Sequence, residues 1–224
     1  TPKTSSAASD VYKRQNMHMG NTGEIIAKEC SITRSQADEF AAQSHSKAAK
    51  AWEEGWFDWE TFPISVPQRR GDNLVLERDE GVRSDSTAES LSKLRTVFDK
   101  DGIVTAGNAS TLNDGASAVL VTSESYAQQQ GWEIIATIED YCTAGVEPER
   151  VMSAPIPAVR NLLKRNKLDV LDVDVYEHNE AFASASCAVA QEIGIPHERF
   201  NLHGGAVSLG HPLGASGSRC LITM

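Results

Sequence analysis

The sequence predicts an α/β protein with a layered fold, sheets between helices, that is incomplete within its 224 residues and includes a helix-rich domain. From residue 105 onward, short apolar runs alternate with helix-like stretches, which is typical of layered α/β architecture. Residues 17–56 show helical periodicity without strand signals. The last five residues, CLITM, lie inside an apolar run, which predicts a truncated element. Residues 1–16 lack periodicity, which predicts an unstructured or foreign tail.

In the first half, the pattern predicts two helices and two short strands. Residues 22–30 fit a short helix with Thr22 as its cap, and residues 33–36 (TRSQ) fit a capping box. Apolar residues at helical spacing after that box predict a long helix that stops near Gly55. Two β-like stretches follow in a loop-rich segment, at residues 64–66 and 74–76.

In the second half, β-branched and apolar runs alternate with stretches that favour helix. Turn residues bound each run, so the strands and helices are predicted to be short. The predicted strands are residues 117–122, 133–141 and 170–176, and the predicted helices are residues 123–131, 157–166 and 180–194.

Charge and cysteine usage exclude several classes of protein. The chain has 21 basic and 31 acidic residues, a net charge of −10, which disfavours a basic nucleic-acid or anionic-membrane surface. No apolar run approaches the roughly 18 residues of a membrane span, and no secretory pattern is visible. The four cysteines (Cys30, Cys142, Cys187 and Cys220) form no C-x-x-C pair and are expected to be reduced thiols of a cytoplasmic protein.

A first candidate motif is His-Asn-Glu-Ala-Phe-Ala at residues 178–183. A predicted strand runs into a turn here, and an alanine-rich helix leaves it. Asn179 is placed either to cap that helix or to act near its N-terminus, where developing negative charge is favoured. The sequence leaves both alternatives open.

A second candidate motif is the glycine-rich run at residues 204–217 (GGAVSLGHPLGASG), with five glycines in fourteen residues. His211 lies between Gly210 and Pro212, so its turn is constrained on both sides, which suits a general base or an oxyanion donor. The spacing does not fit a dinucleotide fingerprint, a phosphate loop or a G-x-S-x-G elbow. The alternative is a structural turn with an incidental histidine.

Two further segments are weaker candidates. Residues 104–115 (VTAGNASTLNDG) are either a connecting loop or a small-residue wall against a ligand, and residues 18–20 (HMG) are a loop or part of a site. A metal site formed by His178, His203 and His211 fits no familiar ligand spacing, so no metal is expected.

Together, these motifs resemble the thiolase family. The pair of motifs at residues 179–183 and 204–217 is similar to the thiolase signature pair. Residues 106–115 resemble the end of the thiolase loop domain, and residues 18–20 resemble the start of its coenzyme-A loop. The resemblance follows family order from about residue 17 to the last residue, and it is strongest to the short-chain acetyl-CoA acetyltransferases.

The resemblance implies two similar α/β halves, with a loop domain inserted in the first. Residues 17–112 would then form the coenzyme-A-binding loop domain. Residues 113–133 would end the first half, and residues 134–224 would be a truncated second half.

The resemblance also implies a chemistry, the Claisen condensation of two acetyl-CoA molecules to acetoacetyl-CoA and the reverse thiolysis. Asn179, through a water molecule, and His211 would form an oxyanion hole, and His211 would help to activate a cysteine nucleophile. Coenzyme A thioesters would be substrates, with no cofactor. Family members are homodimers or homotetramers, and neither nucleic acid nor a membrane is implied as a partner.

The coenzyme-A contacts of the family fall on residues from several segments. His18 and Met19 would flank the pantetheine, and Arg83 would approach the nucleotide end. For the three bulkiest apolar members, ordinary core packing is the alternative. The full set is His18, Met19, Arg83, Ser90, Phe98, Ala106, Ser110, Leu112, Ala181 and Phe182.

The sequence departs from the family at both reactive cysteines. The nucleophile is expected upstream of the loop domain, and the acid/base cysteine in a C-x-G-G-G-x-G run downstream, and none of the four cysteines has either context. We therefore expect a fragment that is inactive by itself. Two alternatives remain open: a degradative thiolase for longer 3-ketoacyl-CoA substrates, and a non-catalytic coenzyme-A-binding module.

Overall fold

The structure, a computed structural model, describes residues 17–224. The tail predicted for residues 1–16 lies outside the described residues. The helices are α1 (Met19–Glu29), α2 (Arg34–Glu53), α3 (Ala88–Ser92), α4 (Glu124–Gln130), α5 (Pro155–Asn166), α6 (Ala183–Ile193), α7 (Ala206–Leu209) and α8 (Ser216–Thr223). The strands are β1 (Ile64–Val66) and β2 (Leu74–Leu76), and 3₁₀ turns occupy Pro148–Ser153, Val170–Asp172 and His197–Arg199.

Helix α2 confirms the predicted capping box. The hydroxyl of Thr33 accepts from the backbone N–H of Gln36, and the Gln36 side chain accepts from the N–H of Thr33. This exchange satisfies two donors that the first turn cannot pair. The helix stops just before Gly55, which adopts a left-handed φ of 75° that a side chain would strain.

The cap of helix α1 lies four residues earlier than predicted. Its cap is His18, whose Nδ1 accepts from the N–H of Gly20. Thr22 lies inside the helix, and its hydroxyl donates to the carbonyl of Met19. The prediction of Thr22 as the cap is therefore wrong, because an imidazole nitrogen can fill the role of a cap oxygen.

Small side chains let the helices of the core pack closely. Helix α6 packs against α1 and α2, and α7 packs against α2. Buried alanines lie at these contacts, and bulkier residues such as Ile26 and Val104 fill the space beside them. This packing fixes the start of α6 and the loop before α7, where the two strongest motifs lie.

Three predicted strands are absent from the described residues. Residues 117–122 and 133–141 form no strand, and their apolar side chains are largely exposed. Within residues 170–176, Val170–Asp172 is a 3₁₀ turn, and Tyr176 alone is paired, through a bridge to Phe200. A strand forms only where a neighbour accepts and donates its ladder hydrogen bonds. Among the described residues, 117–122 and 133–141 have no such bonds, and residues 170–176 have them at Tyr176 alone.

The remaining strands and helices of the prediction are present. The two predicted β-like stretches are strands β1 and β2, and the structure pairs them antiparallel with Ile64 opposite Leu76. Helices α4, α5 and α6 lie within or close to their predicted ranges. Among residues 17–224, no helix is both long enough and apolar enough to cross a membrane.

Candidate active site

The structure brings the two strongest motifs together with the segment of residues 104–115. Segment 108–112 lies between the other two motifs and bonds to both. The N–H of Ser110 donates to the carbonyl of Ala181 at 3.0 Å, and the N–H of His211 donates to the carbonyl of Thr111 at 3.0 Å. Segments separated by 70 to 100 residues in sequence therefore share one site.

Asn179 does not cap the helix that follows it. Helix α6 begins at Ala183, and its cap position is occupied by Phe182, which makes no side-chain capping bond. The side-chain Nδ2 of Asn179 instead lies 3.5 Å from Nε2 of His211. Its Oδ1 is buried and accepts no hydrogen bond from the described residues. The capping alternative is wrong, and the amide is available at the site.

His211 is held from its other ring nitrogen. Nδ1 lies 2.6 Å from the hydroxyl of Ser216, the first residue of α8. Burial lowers the pKa of His211, and the nearby guanidinium of Arg219 lowers it further. The imidazole is therefore neutral at neutral pH.

The Ser216 hydroxyl has a single proton and two possible acceptors. It lies 2.6 Å from Nδ1 of His211 and 3.1 Å from the carbonyl of Pro212. If it donates to Nδ1, the imidazole proton lies on Nε2, which can then donate to an oxyanion. If it donates to Pro212, Nδ1 carries the proton and Nε2 can accept one.

A buried carboxylate, Glu180, joins the motifs to α2, and the sequence analysis did not identify it as part of the site. It accepts hydrogen bonds from the Ser44 hydroxyl at 2.7 Å, Asn201 Nδ2 at 2.8 Å and the N–H of Val207 at 3.2 Å. Burial raises its pKa, and these hydrogen bonds oppose that rise. A Cβ on Gly205 would lie 2.4 Å from the Glu180 carboxyl carbon.

One local signal could have identified Glu180. It is the single charged residue in a run of small and apolar side chains, NEAFASAS, which is typical of a buried polar group. Its partners Ser44 and Asn201 come from distant segments, and nothing in their local sequence indicates this role.

Three of the expected coenzyme-A residues form a row of rings. His18 stacks on Phe98 with centroids 4.8 Å apart, and Phe98 meets Phe182 edge-on at 6.2 Å. A Cβ on Gly20 would lie 2.2 Å from the Phe98 ring, so this position of α1 accepts only glycine. Met19, the first residue of α1, is half-buried beside this row.

The other expected contacts are placed differently. Ser110 and Ala181 bond to each other through their backbones, and Leu112 is 80% exposed beside His211. Ala106, Arg83 and Ser90 are exposed. Ser90 belongs to the capping box of α3, and the backbone N–H of Arg83 donates to Nδ1 of the buried His45 at 3.1 Å. Among the described residues, no hydrogen bond or ring contact joins Arg83 or Ser90 to the row of rings.

Three of the four cysteines lie in environments that do not favour a thiolate. Burial raises the pKa of Cys187 to about 12, and burial also raises the pKa of Cys30 and of Cys220. A protonated thiol is a poor nucleophile. Within residues 17–224, no group of three or more histidine, cysteine or acidic side chains is arranged to hold a metal ion.

Comparison with known proteins assigns the fold and the motifs to one class. Family models for the thiolase N-terminal domain and the thiolase C-terminal domain match residues 4–125 and 132–224. The chain belongs to the thiolase family. A probable acetyl-CoA acyltransferase from Staphylococcus aureus (strain COL) is 47% identical over 215 residues, which are 96% of this chain and 54% of that protein.

Solved structures confirm the predicted thiolase-like fold. Bacillus anthracis acetyl-CoA acetyltransferase has a TM-score of 0.89 at 42% identity, covering 92% of this chain and 52% of that one. Human mitochondrial 3-ketoacyl-CoA thiolase has a TM-score of 0.89 at 37% identity, covering 94% and 53%. The human enzyme has also been solved in complex with CoA, with a TM-score of 0.88. The chain spans about half the length of the relatives that it matches.

Proposed function

We propose that the protein containing this chain is an acyl-CoA acetyltransferase that condenses two acetyl-CoA molecules to acetoacetyl-CoA and catalyses the reverse thiolysis. The observation that carries this proposal is the approach of Asn179 and His211 to 3.5 Å where three distant motifs meet. The acetyl-CoA acyltransferase and acetyltransferase relatives, at 47% and 42% identity, support it.

In this proposal the two side chains stabilise one developing oxyanion. When the thioester loses its α-proton, negative charge develops on the carbonyl oxygen. A neutral imidazole N–H on His211 and a water molecule oriented by Asn179 would donate to that oxygen. Neither donor brings a net charge. The hydrogen bond between Nδ1 of His211 and Ser216 holds the imidazole before the reaction, so its reorganisation would be small.

Ser216 lets His211 serve in two steps. When the Ser216 hydroxyl donates its hydrogen bond to Nδ1, the imidazole proton lies on Nε2, which can donate to the oxyanion. When the hydroxyl donates to the carbonyl of Pro212, the imidazole proton lies on Nδ1, and the free Nε2 can accept a proton from a cysteine nucleophile. The distances of 2.6 Å and 3.1 Å from the Ser216 hydroxyl support both arrangements.

We propose that these 224 residues are inactive by themselves. The condensation needs a thiolate that forms an acyl-enzyme and a second cysteine that moves the α-proton. The raised pKa values of Cys30, Cys187 and Cys220 support the view that they are structural. Residues 17–112 would contribute the coenzyme-A side of the site, with the row of His18, Phe98 and Phe182 against the pantetheine.

A second candidate is a thiolase that cleaves longer 3-ketoacyl-CoA substrates. It is favoured by the human 3-ketoacyl-CoA thiolase, which matches with the same TM-score of 0.89. A non-catalytic coenzyme-A-binding module is disfavoured because a binding protein has no need of a paired oxyanion site. A homodimer or homotetramer is part of the proposal for the complete protein.

A chimera tests the proposed activity. Residues 17–224 would replace the matching stretch of the S. aureus relative, which retains its own flanking sequence, and thiolysis would be followed with acetoacetyl-CoA and with 3-ketodecanoyl-CoA. We expect a higher kcat/KM for acetoacetyl-CoA. A reversed preference would favour the longer-chain thiolase. A folded chimera that binds coenzyme A without turnover would overturn the catalytic proposal, and the unmodified relative serves as the control.

A further inference from the structure

An ion pair beneath the candidate site connects its two main motifs. Glu177 lies two residues before Asn179, and its side chain is 3% exposed. Arg219 lies on α8, three residues after Ser216, and its Nη1 is 3.4 Å from Oε2 of Glu177. The pair therefore joins the segment that carries Asn179 to the helix that holds His211.

The charge of Arg219 acts on four carboxyl groups. Burial raises the pKa of Glu177 to about 7, and it also raises the pKa values of Glu60, Asp79 and Glu180. The guanidinium of Arg219 opposes the rise in each of the four. Favourable interactions with these four acidic groups, of which Glu177 is in contact at 3.4 Å, hold the guanidinium in place.

The same guanidinium acts on His211. Burial is the larger cause of the lowered pKa of His211, and Arg219 is the second. No acidic group contributes to that shift. Arg219 is therefore positioned to influence the imidazole as well as to bind the carboxylates.

We propose that Arg219, anchored by Glu177, is a positioning residue of the oxyanion site, holding α8 so that His211 faces Asn179. This inference rests on the proposed function, because it concerns the same pair of donors. Arg219 makes no contact with reacting atoms in this account. It acts through Ser216 and His211, and its charge favours the neutral imidazole that an oxyanion donor requires.

Titration of His211 tests the inference without turnover. In the 224-residue chain, NMR would follow the six histidine C2 protons with pH, and H211N would identify the His211 signal. We expect R219Q to raise the pKa of His211, because a repelling charge is removed, and R219K to restore it towards the wild-type value. The matched control is R150Q, which breaks the remote Arg150–Glu29 ion pair and should leave His211 unchanged.

An unchanged His211 pKa in folded R219Q would overturn the inference, since an ion pair with a purely structural role would lower stability alone. If R219Q does not fold, R219M replaces it, because methionine keeps much of the apolar stem of Arg219 without its charge. The pKa of His211 should rise there as well, since the same repelling charge is removed. An unchanged pKa there would also overturn the inference.

The pH profile of the chimera gives an independent readout. Activity requires neutral His211, so kcat/KM falls as pH falls through its pKa. We expect R219Q to move this acidic limb to higher pH and to lower kcat on the order of tenfold, with a smaller change in KM. If the chimera with the wild-type segment showed no turnover, the proposed function would be contradicted. If the R219Q chimera turned over with the acidic limb of its pH profile unchanged, this inference alone would be contradicted.

Discussion

Two regions of the molecule differ in how far their apolar side chains are buried. The packed region (residues 19–57, 98–110 and 176–211) buries its side chains between helices, and Val104 there is 0% exposed. In the extended segments (residues 112–122 and 132–147), Ile135 is 86% exposed. The geometry of the candidate site therefore depends on contacts within the packed region, whereas the extended segments have sequences suited to a sheet that the described residues do not form.

The largest expected difference concerns two glycines, one in each region. Gly204 has a left-handed φ of 78°, and a Cβ there would lie 2.5 Å from the carbonyl oxygen of Ser44. A Cβ on Gly145 would meet nothing within 4 Å. We expect G204A to lower the free energy of unfolding by about 3 kcal/mol and G145A to change it by less than about 0.5 kcal/mol. Urea denaturation of both variants measures this, and equal effects would break the comparison.

Buried charges should make the packed region sensitive to pH in two opposite directions. Burial raises the pKa of Glu177 to about 7 and lowers that of the neighbouring His178 to about 4. The stabilisation associated with protonated Glu177 is lost as pH rises towards 7. The stabilisation associated with neutral His178 is lost as pH falls from 6.5 towards 4. In the wild-type chain the two contributions largely cancel.

Single variants should separate these contributions. The free energy of unfolding of E177Q should fall by about 2 kcal/mol as pH falls from 7.5 to 5, because only the His178 contribution remains. The free energy of unfolding of H178Q should fall by a similar amount as pH rises from 5 to 7.5, because only the Glu177 contribution remains. Urea midpoints at the two pH values provide the measurement, with E139Q in an extended segment as the control. If the stability of E177Q and of H178Q changed with pH in the same direction, one of the two groups would have an unshifted pKa in the folded chain.

The smallest expected difference compares the same substitution in both regions. V104A removes two buried methyl groups and should destabilise the chain by about 1.5 kcal/mol. Val121 is 65% exposed, so V121A should change stability by less than about 0.5 kcal/mol. Thermal denaturation of the two variants gives the comparison. Similar losses would mean that the extended segment is covered in solution, for example by self-association.

The sequence predicted the elements whose cause is local. The capping box at residues 33–36 and the β-like stretches at residues 64–66 and 74–76 depend on neighbouring residues, and both predictions are confirmed. The strands expected at residues 117–122 and 133–141 depend on partners elsewhere, so an apolar run alone could not establish them. A run of apolar residues indicates that these side chains are to be buried, but it does not indicate which segment buries them.

The site shows the same division between local and distant causes. The thiolase resemblance implied the pairing of Asn179 with His211, and their side chains lie 3.5 Å apart. The sequence could not decide whether Asn179 caps α6, because that depends on where the helix starts, and the helix starts at Ala183. The contacts of Glu180 with Ser44 and Asn201 join segments far apart in the chain, and only the folded structure reveals them.

The central claim is that Asn179 and His211 act on one oxygen atom. The most direct test is a double-mutant cycle of N179A and H211A in the chimera, measured as kcat for acetoacetyl-CoA thiolysis. We predict that each single variant lowers kcat by about 10²- to 10³-fold, and that the double variant loses little more than either single variant. Wild-type kcat in either single variant, with the fold verified by circular dichroism, would contradict the account.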